Sequence, residues 1–212
     1  WASDFLPGAH QGTLVVPGSE PVANMRRRVG TQELQELELG LLHKLNRRHQ
    51  AARASDPLLA ARIKSYETAF GMQTELPDVF DLSRESDATL ALYGLPRGST
   101  QGFAWQCLVA RRLAERGVRF VELIDTGSSD NWDAHGDMLA HAPLARNVDQ
   151  AIAGLLQDLK LRGMFEDTLV VWTTEFGRTP FNESAGAKGR EHHHWVFSSW
   201  LAGAGVKPGT VY

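Results

Sequence analysis

The sequence predicts an α/β fold, in which helices flank a largely parallel sheet. A helical hairpin is predicted to precede this sheet at the N-terminus. Two observations carry this prediction. In the second half of the chain, strand-like apolar runs alternate with helix-like patterns, as they do in βαβ units. The run Thr168–Thr174 is rich in β-branched residues and lacks polar alternation, which is typical of a strand buried on both faces. Functional loops should then lie at the carboxyl ends of the strands.

The helical hairpin is predicted to follow a loop-like, glycine- and proline-rich stretch of about 30 residues. Thr31 is the expected N-cap of a long helix that reaches about Ala54, because leucines recur there at helical spacing. A second helix should begin at Asp56-Pro57 and end at Gly71 or near Pro77. The pair should form an antiparallel hairpin that covers one end of the sheet.

The chain is expected to divide into two regions of one continuous domain. Residues 1–98 would form the loop and hairpin region, which closes with a short helix, Thr89–Tyr93, ended by Gly94. Residues 99–212 would form the α/β core. Its predicted elements, in chain order, are a helix from Phe103 that ends at Gly117, a strand Val118–Ile124, a helix Pro143–Leu161 followed by Gly163, a strand Thr168–Thr174 and a strand Trp195–Ala202.

Composition indicates a globular protein and narrows the classes of function. The chain has 212 residues, of which 42% are hydrophobic and 22% charged, so wholesale disorder is excluded. Its net charge of −3 provides no general basic surface, and we expect no nucleic-acid partner. The single cysteine, Cys107, excludes an internal disulfide framework and falls in a helical pattern as a core residue. No apolar run approaches the roughly 20 residues of a membrane span.

Two loops at predicted strand ends carry residue types that bind metals. The first contains Asp133 and His135, and the second contains Glu175, His192 and His193. A carboxylate with imidazoles suits zinc, manganese or iron, so these five residues are the candidate metal ligands. The alternative is that the aspartate caps a turn and that the histidines are solvated surface residues.

Two arginines flank the candidate ligands. Arg178 and Arg190 could hold a phosphate or sulfate group in a bidentate manner, and they are the candidate catalytic residues. The alternative is that each pairs with a local carboxylate, such as Glu183 or Glu191. A serine nucleophile is not supported, because Ser128 and Ser129 lie outside any G-x-S-x-G pattern. The chain also contains no P-loop and no dinucleotide-binding fingerprint.

Several segments together resemble the DUF1501 family over essentially the whole chain. They are FLPGAHQGT (Phe5–Thr13), the segment Val109–Ile124, WDAHGD (Trp132–Asp137), DTLVVWTTEFGRTP (Asp167–Pro180), GREHHHW (Gly189–Trp195) and WLAGAGVKPGTVY (Trp200–Tyr212).

The resemblance implies membership of the alkaline-phosphatase-like superfamily, with sulfatases and phosphomutases. It therefore implies an exported, metal-dependent hydrolase of phosphate or sulfate esters, with a small-molecule or polysaccharide substrate and a divalent ion such as zinc, manganese or calcium. By the same resemblance Asp133 and His135 would be ligands, and His192 or His193 would be the late histidine ligand. Glu175 would stand where relatives carry the aspartate of an Asp-His pair.

The chain also departs from the superfamily pattern. Its first loop reads Asp-x-His rather than Asp-x-x-x-His, and Phe176 stands where relatives have a second imidazole. The chain starts at Trp1 without a methionine and stops at Tyr212 in a strand-like run, so we expect a fragment that lacks both ends. The nucleophile would then come from outside these residues or be a water molecule. The alternative function is a catalytically silent binding or structural protein, and a third is an adventitious histidine-rich metal site.

Overall fold

A computed structural model describes residues 10–23, 25–26, 30–53, 56–125 and 131–212 of the chain. The serines considered as nucleophiles, the predicted end of the first helix at Ala54 and most of the Phe5–Thr13 motif lie outside these ranges. The chain divides into two compact units, Trp1–Leu82 and Ser83–Tyr212. None of the described helices combines the length and the hydrophobicity that a membrane span requires. The sequence-based division at residue 98 stays a prediction.

The predicted fold class is wrong. Helices make up about 49% of the described residues, and the described strands form only two small antiparallel sheets of two strands each. A largely parallel sheet flanked by helices is therefore not the architecture of these residues. The second unit is instead a helical core that carries two short β ladders and irregular loops.

The first unit is built on two helices, α1 (Gln32–Ala51) and α2 (Pro57–Phe80). Each begins where the sequence placed it, because the Thr31 and Asp56 side chains accept hydrogen bonds from the backbone N–H groups of the first turn. The helices run antiparallel, since side-chain contacts link Gln35 with Gln73 and His43 with Glu67.

The predicted end of α2 is wrong, because the helix continues past Gly71 and Pro77 to Phe80. A proline inside a helix removes one backbone donor, yet the helix resumes after it, with the N–H of Asp81 bonded to the carbonyl of Pro77. The leucines of α1 form the expected stripe, but none of the residues of this helix is buried.

The second unit is built on three helices, α3 (Asp87–Tyr93), α4 (Phe103–Glu115) and α5 (His141–Leu161). Ser86 caps α3, and Gly94 ends it in the left-handed conformation with φ +67°. Helix α5 approaches α3 closely at Gly154, where a Cβ atom would lie 2.6 Å from the carbonyl oxygen of Leu92. The residues buried between these helices form the core; they include Leu90, Tyr93, Trp105, Cys107, Leu108, Ala151, Leu155 and Leu159.

Cys107 is confirmed as a core residue. Its side chain is fully buried in α4, and burial raises the pKa of its thiol to about 12. Because the thiolate is the reactive form of cysteine, this side chain is chemically inert at neutral pH.

A network of buried charges joins the three helices. Arg111, which is 2% exposed, forms ion pairs with Glu85 at 2.8 Å, Asp158 at 2.8 Å and Glu115 at 2.7 Å. Burial alone would lower the pKa of Arg111, but these carboxylates raise it instead, so the guanidinium stays charged. The hydroxyl of Tyr93 donates to Asp158 at 2.9 Å, and burial together with this carboxylate raises the pKa of the phenol.

Four short strands follow α5 in the chain: β1 (Val170–Trp172), β2 (Gly177–Arg178), β3 (His192–His193) and β4 (Trp200–Ala202). β1 pairs with β4, with Val171 opposite Leu201, and β2 pairs with β3, with Arg178 opposite His192. Both pairs are antiparallel. Short 3₁₀ turns lie at Leu82–Arg84, Met138–Ala140 and Phe165–Asp167.

The strand predictions fail for a physical reason. Residues 173–199 form no helix, and a parallel pairing needs a crossover of a dozen or more residues that is usually helical. The chain instead turns back, so β4 pairs with β1 in the antiparallel sense. Val118–Ile124 is not a strand, and only the last three residues of Trp195–Ala202 are. β1 is not buried on both faces either, since Val171 is 51% exposed.

Candidate metal centre

The backbones of two loops meet at the candidate site. The N–H of Arg190 donates to the carbonyl of Ala134, and the N–H of Lys188 donates to the carbonyl of Gly136. The N–H of Met138 completes the contact by donating to the carbonyl of Lys188. These bonds tie the loop that carries Asp133 and His135 to the loop that leads into β3, so the two candidate loops form one site.

Gly189 allows this close approach. It is buried, and a Cβ atom at this position would overlap the carbonyl oxygens of His135 and Ala134. Any other residue would therefore push the two loops apart. The Asn182 side chain reinforces the contact, because its Nδ2 donates to the carbonyl of His135 at 2.8 Å.

We expect Gly189→Ala to separate the loops and to abolish metal binding at the site, because the added methyl group has no space. Gly136→Ala is the matched control, since a Cβ atom there meets nothing within 4 Å. Zinc titration and thermal melting of both variants test this expectation. Equal zinc affinity in Gly189→Ala and in the unsubstituted protein would contradict the described packing.

The β2–β3 ladder places Arg178 and His192 on the same side. They are directly opposite each other in the antiparallel register, so their side chains project together. Consecutive residues of a strand point to opposite faces, and His193 therefore points away from the side that His192 faces. The ring of Phe176 packs against the His192 ring, with 4.2 Å between the ring centres.

Three of the five predicted ligands come together. The Oδ1 atom of Asp133 lies 2.9 Å from Nε2 of His135 and 2.8 Å from Nε2 of His192, and the two Nε2 atoms are 3.2 Å apart. The side chains are 51%, 42% and 44% exposed, so the cluster lies open to solvent. Among the described residues, this is the one group of three or more ligand-type side chains close enough to share an ion.

The other two predicted ligands do not join the three. Glu175 is exposed in the turn between β1 and β2, where it accepts a hydrogen bond from the Thr174 hydroxyl at 3.1 Å. The Nδ1 atom of His193 is buried without a hydrogen-bond partner, on the other side of β3. The chain segment at 192–193 thus supplies one imidazole to the cluster.

The two predicted catalytic arginines take different places. Arg178 donates from Nη2 to Oδ1 of Asp133 and to the carbonyl of Trp132. Its other terminal nitrogen donates to the carbonyl of Arg190 at 3.1 Å. The Arg190 guanidinium instead donates to the carbonyl of Thr179 at 3.2 Å. Arg178 is therefore part of the cluster. The Arg190 side chain instead contacts the backbone just after β2.

The electrostatics of Asp133 follow from these contacts. Hydrogen bonds from His192 and Arg178 hold the pKa of this carboxyl well below its usual range. Asp133 is accordingly a carboxylate at neutral pH. It presents a charged oxygen to the two imidazole nitrogens, which is the protonation state that a metal ligand requires.

The donor set fits a zinc ion. Ligand atoms about 2.1 Å from a tetrahedral zinc lie about 3.4 Å apart. The three separations of 2.8, 2.9 and 3.2 Å are shorter than this distance by about 0.2–0.6 Å. Small side-chain rotations would therefore admit the ion. Two imidazoles and one carboxylate also match a catalytic zinc site, in which a fourth position stays open.

The structure adds residues that sequence reasoning did not place at the site. Glu191 Oε2 lies 3.0 Å from Nδ1 of His135, and His141 Nε2 lies 2.8 Å from the carbonyl of Trp132. The sequence signal for Glu191 is its position next to the histidine run, where it is a candidate partner for Arg178 or Arg190. No pattern in the sequence indicated Asn182 or the packing of Phe176.

Comparison with known proteins gives one match. The model of the family described as "Protein of unknown function (DUF1501)" matches residues 1–212. No curated protein and no solved structure matches the chain. Because the family match spans every residue from Trp1 to Tyr212, the chain belongs to the DUF1501 family.

Proposed function

We propose that the protein is a metal-dependent hydrolase of phosphate or sulfate esters, with a divalent ion held by Asp133, His135 and His192. The observation that carries the proposal is the convergence of three lone-pair-bearing atoms within 3.2 Å of one another. Such a cluster is stable only with protons or a cation between its members, because carboxylate and imidazole lone pairs otherwise repel. A metal ion satisfies all three atoms at once.

The exposure of the cluster favours a catalytic site over a structural one. Structural zinc sites use four protein ligands and are closed, whereas catalytic sites use three and leave a position for water or substrate. The three side chains are each about half exposed, which leaves room for a substrate group. The two imidazoles favour zinc or manganese over calcium, which prefers oxygen ligands.

The charge of the cluster is suited to an anionic ester. Asp133 and Glu191 together with Arg178 carry one net negative charge, which attracts a divalent cation. After a divalent cation binds, the same group carries one net positive charge and attracts phosphate or sulfate. A bound metal ion supplies Lewis-acid polarisation of an ester oxygen and lowers the pKa of water.

The protein residues then have distinct roles. Arg178 holds the Asp133 carboxylate in place through the Nη2 contact and adds positive charge at the rim of the site. Arg190 lies beside it and would need to leave its contact with the Thr179 carbonyl to reach a bound anion. Of the two arginines, Arg178 therefore has the better supported role.

The resemblance to alkaline-phosphatase-like enzymes supports the same chemistry. It motivates phosphate or sulfate esters as substrates, of small molecules or of polysaccharides, and it motivates export of the protein. The substrate class and the export are inferred from the sequence segments that resemble the family. Neither inference requires a parallel sheet, which the described residues lack.

A second candidate function is a catalytically silent binding or structural protein. One observation favours it: Oδ1 of Asp133 already accepts hydrogen bonds from Arg178 and His192. A protonated His135 could likewise donate to Asp133 and Glu191 at once. Protons could thus satisfy the whole cluster without a metal ion, and it would then act only to join the two loops.

Hydrolysis assays on the purified protein distinguish the candidates. We expect zinc- or manganese-dependent release of the phenol from an aryl phosphate or aryl sulfate, lost in His135→Ala and kept in His194→Ala. His194 is the matched control because it is an exposed histidine of the same run that lies outside the cluster. Zinc bound without turnover would favour an adventitious or purely binding site. Failure to bind zinc or manganese would favour the silent protein.

A further inference from the structure

Glu191 makes a contact that the proposed ligand set does not explain. Its Oε2 atom lies 3.0 Å from Nδ1 of His135, on the side of the ring opposite the nitrogen that faces Asp133. Both ring nitrogens of His135 therefore have a neighbour, and each neighbour is a carboxylate. A neutral imidazole carries one proton, so the ring can donate to only one of these carboxylates.

The backbone holds Glu191 firmly in this position. Its N–H donates to the Thr179 hydroxyl at 3.1 Å, and its carbonyl accepts from the Thr179 N–H at 2.9 Å. Thr179 is itself buried, at 8% exposure. The N–H of the neighbouring residue Arg190 donates to the carbonyl of Ala134, which directly precedes His135 on the other loop. Gly189 packs against the carbonyls of both Ala134 and His135. The carboxylate is thus fixed relative to the imidazole that it contacts.

We infer that Glu191 is a positioning residue that keeps the proton of His135 on Nδ1 and leaves the Nε2 lone pair free for the metal ion. This inference rests on the proposed function. A carboxylate that accepts the second ring N–H of a histidine ligand fixes the tautomer and the orientation of the ring, and it makes the ligand nitrogen more basic. The exposed fraction of the Glu191 side chain is 27%, lower than that of any of the three ligands.

The alternative role for Glu191 is that of a direct fourth ligand. Two substitutions separate the roles. Glu191→Gln keeps an oxygen that can accept the His135 N–H, but an amide is a poor metal ligand. Glu191→Ala removes both capacities. A positioning role therefore predicts partial rescue by glutamine, and a ligand role predicts that both substitutions are equally harmful.

Zinc affinity, measured by competition with a chromophoric chelator, tests the inference. We expect Glu191→Ala to weaken zinc binding by about 10- to 100-fold. Glu191→Gln should weaken it by less than about tenfold, because a neutral acceptor makes a weaker hydrogen bond than a charged one. Glu183→Ala is the matched control, since Glu183 is an exposed glutamate of the same loop. Its affinity should equal that of the unsubstituted protein.

A second readout detects the proton itself. The His135 Nδ1–H should give a slowly exchanging NMR signal in the zinc-loaded protein, which Glu191→Ala removes and Glu183→Ala leaves in place. Adding Glu191→Ala to His135→Ala should also cause no further loss of affinity, because Glu191 acts through that ring. Should the alanine variant not fold, a shift of the same proton signal in Glu191→Gln serves in its place.

The outcomes separate the inference from the proposed function. An unsubstituted protein that binds neither zinc nor manganese overturns the proposed function, and the role of Glu191 with it. Zinc binding that is unchanged in Glu191→Ala, or that is equally damaged in Glu191→Gln, overturns the positioning role alone. Additive losses in the double variant would also overturn it.

Discussion

His192→Ala is expected to weaken zinc binding by about 100- to 1,000-fold. Four-ligand zinc sites bind with apparent free energies of about 10–16 kcal/mol, so one ligand contributes roughly 2.5–4 kcal/mol. His192 supplies one of three protein ligand atoms, at 2.8 Å from Oδ1 of Asp133 and 3.2 Å from Nε2 of His135. Its loss should therefore remove the whole binding free energy that one ligand contributes. Isothermal titration with zinc measures this change.

His193→Ala is the informative comparison for this variant. The sequence named both histidines as ligands, whereas the β2–β3 ladder places them on opposite faces of one strand. We expect His193→Ala to retain zinc affinity within a few-fold, and His194→Ala to retain it fully. A loss in His193→Ala as large as that in His192→Ala would contradict the register of the ladder.

Asp158→Asn is expected to destabilise the protein by about 3–5 kcal/mol, because it breaks a buried ion pair and leaves a charge without compensation. The Asp158 carboxylate is 5% exposed and forms ion pairs with Arg111 and Arg162, with 2.8 Å between a carboxylate oxygen and the Nε atom in each pair. It also accepts the Tyr93 hydroxyl. Urea denaturation followed by circular dichroism measures the free energy of unfolding.

Asp149→Asn provides the control for this expectation. Asp149 lies on the same helix, α5, but is exposed to solvent, so its substitution should change stability by less than about 0.5 kcal/mol. An equally small change in the free energy of unfolding for Asp158→Asn would contradict the prediction. It would show that Glu85 and Glu115 alone compensate the buried charge of Arg111.

The helices could be predicted from the sequence, because their signals are local. Thr31, Asp56 and Ser86 each cap the helix that was predicted after them, and Gly94 ends α3 as expected. Caps depend on bonds within one turn and need no information about distant residues. The end of α2 is not predictable from local signals, because Pro77 disfavours a helix without forbidding it.

The sheet could not be predicted, because strand pairing depends on distant partners. The apolar run at Thr168–Thr174 is compatible with a central parallel strand and with a short exposed ladder. Only the path of residues 173–199 decides between them, and that path carries no helix to serve as a crossover. Val118–Ile124 has strand-like composition, but among the described residues it pairs with no strand.

The candidate site could be predicted in part. Residue chemistry alone identified Asp133, His135 and His192, which the structure brings together, and Arg178, which contacts Asp133. Chemistry could not separate His192 from its neighbour His193, because this depends on strand alternation. It also could not reveal the role of Gly189. The requirement for a residue without a side chain is visible only where the two loops are in contact.

The position of zinc in crystals of the zinc-loaded protein, located by anomalous diffraction at the zinc edge, tests the proposed metal centre most directly. We expect a peak about 2.0–2.2 Å from an Asp133 carboxylate oxygen and from Nε2 of both His135 and His192. Strong zinc density at His193 or Glu175, with none between these three side chains, would contradict it.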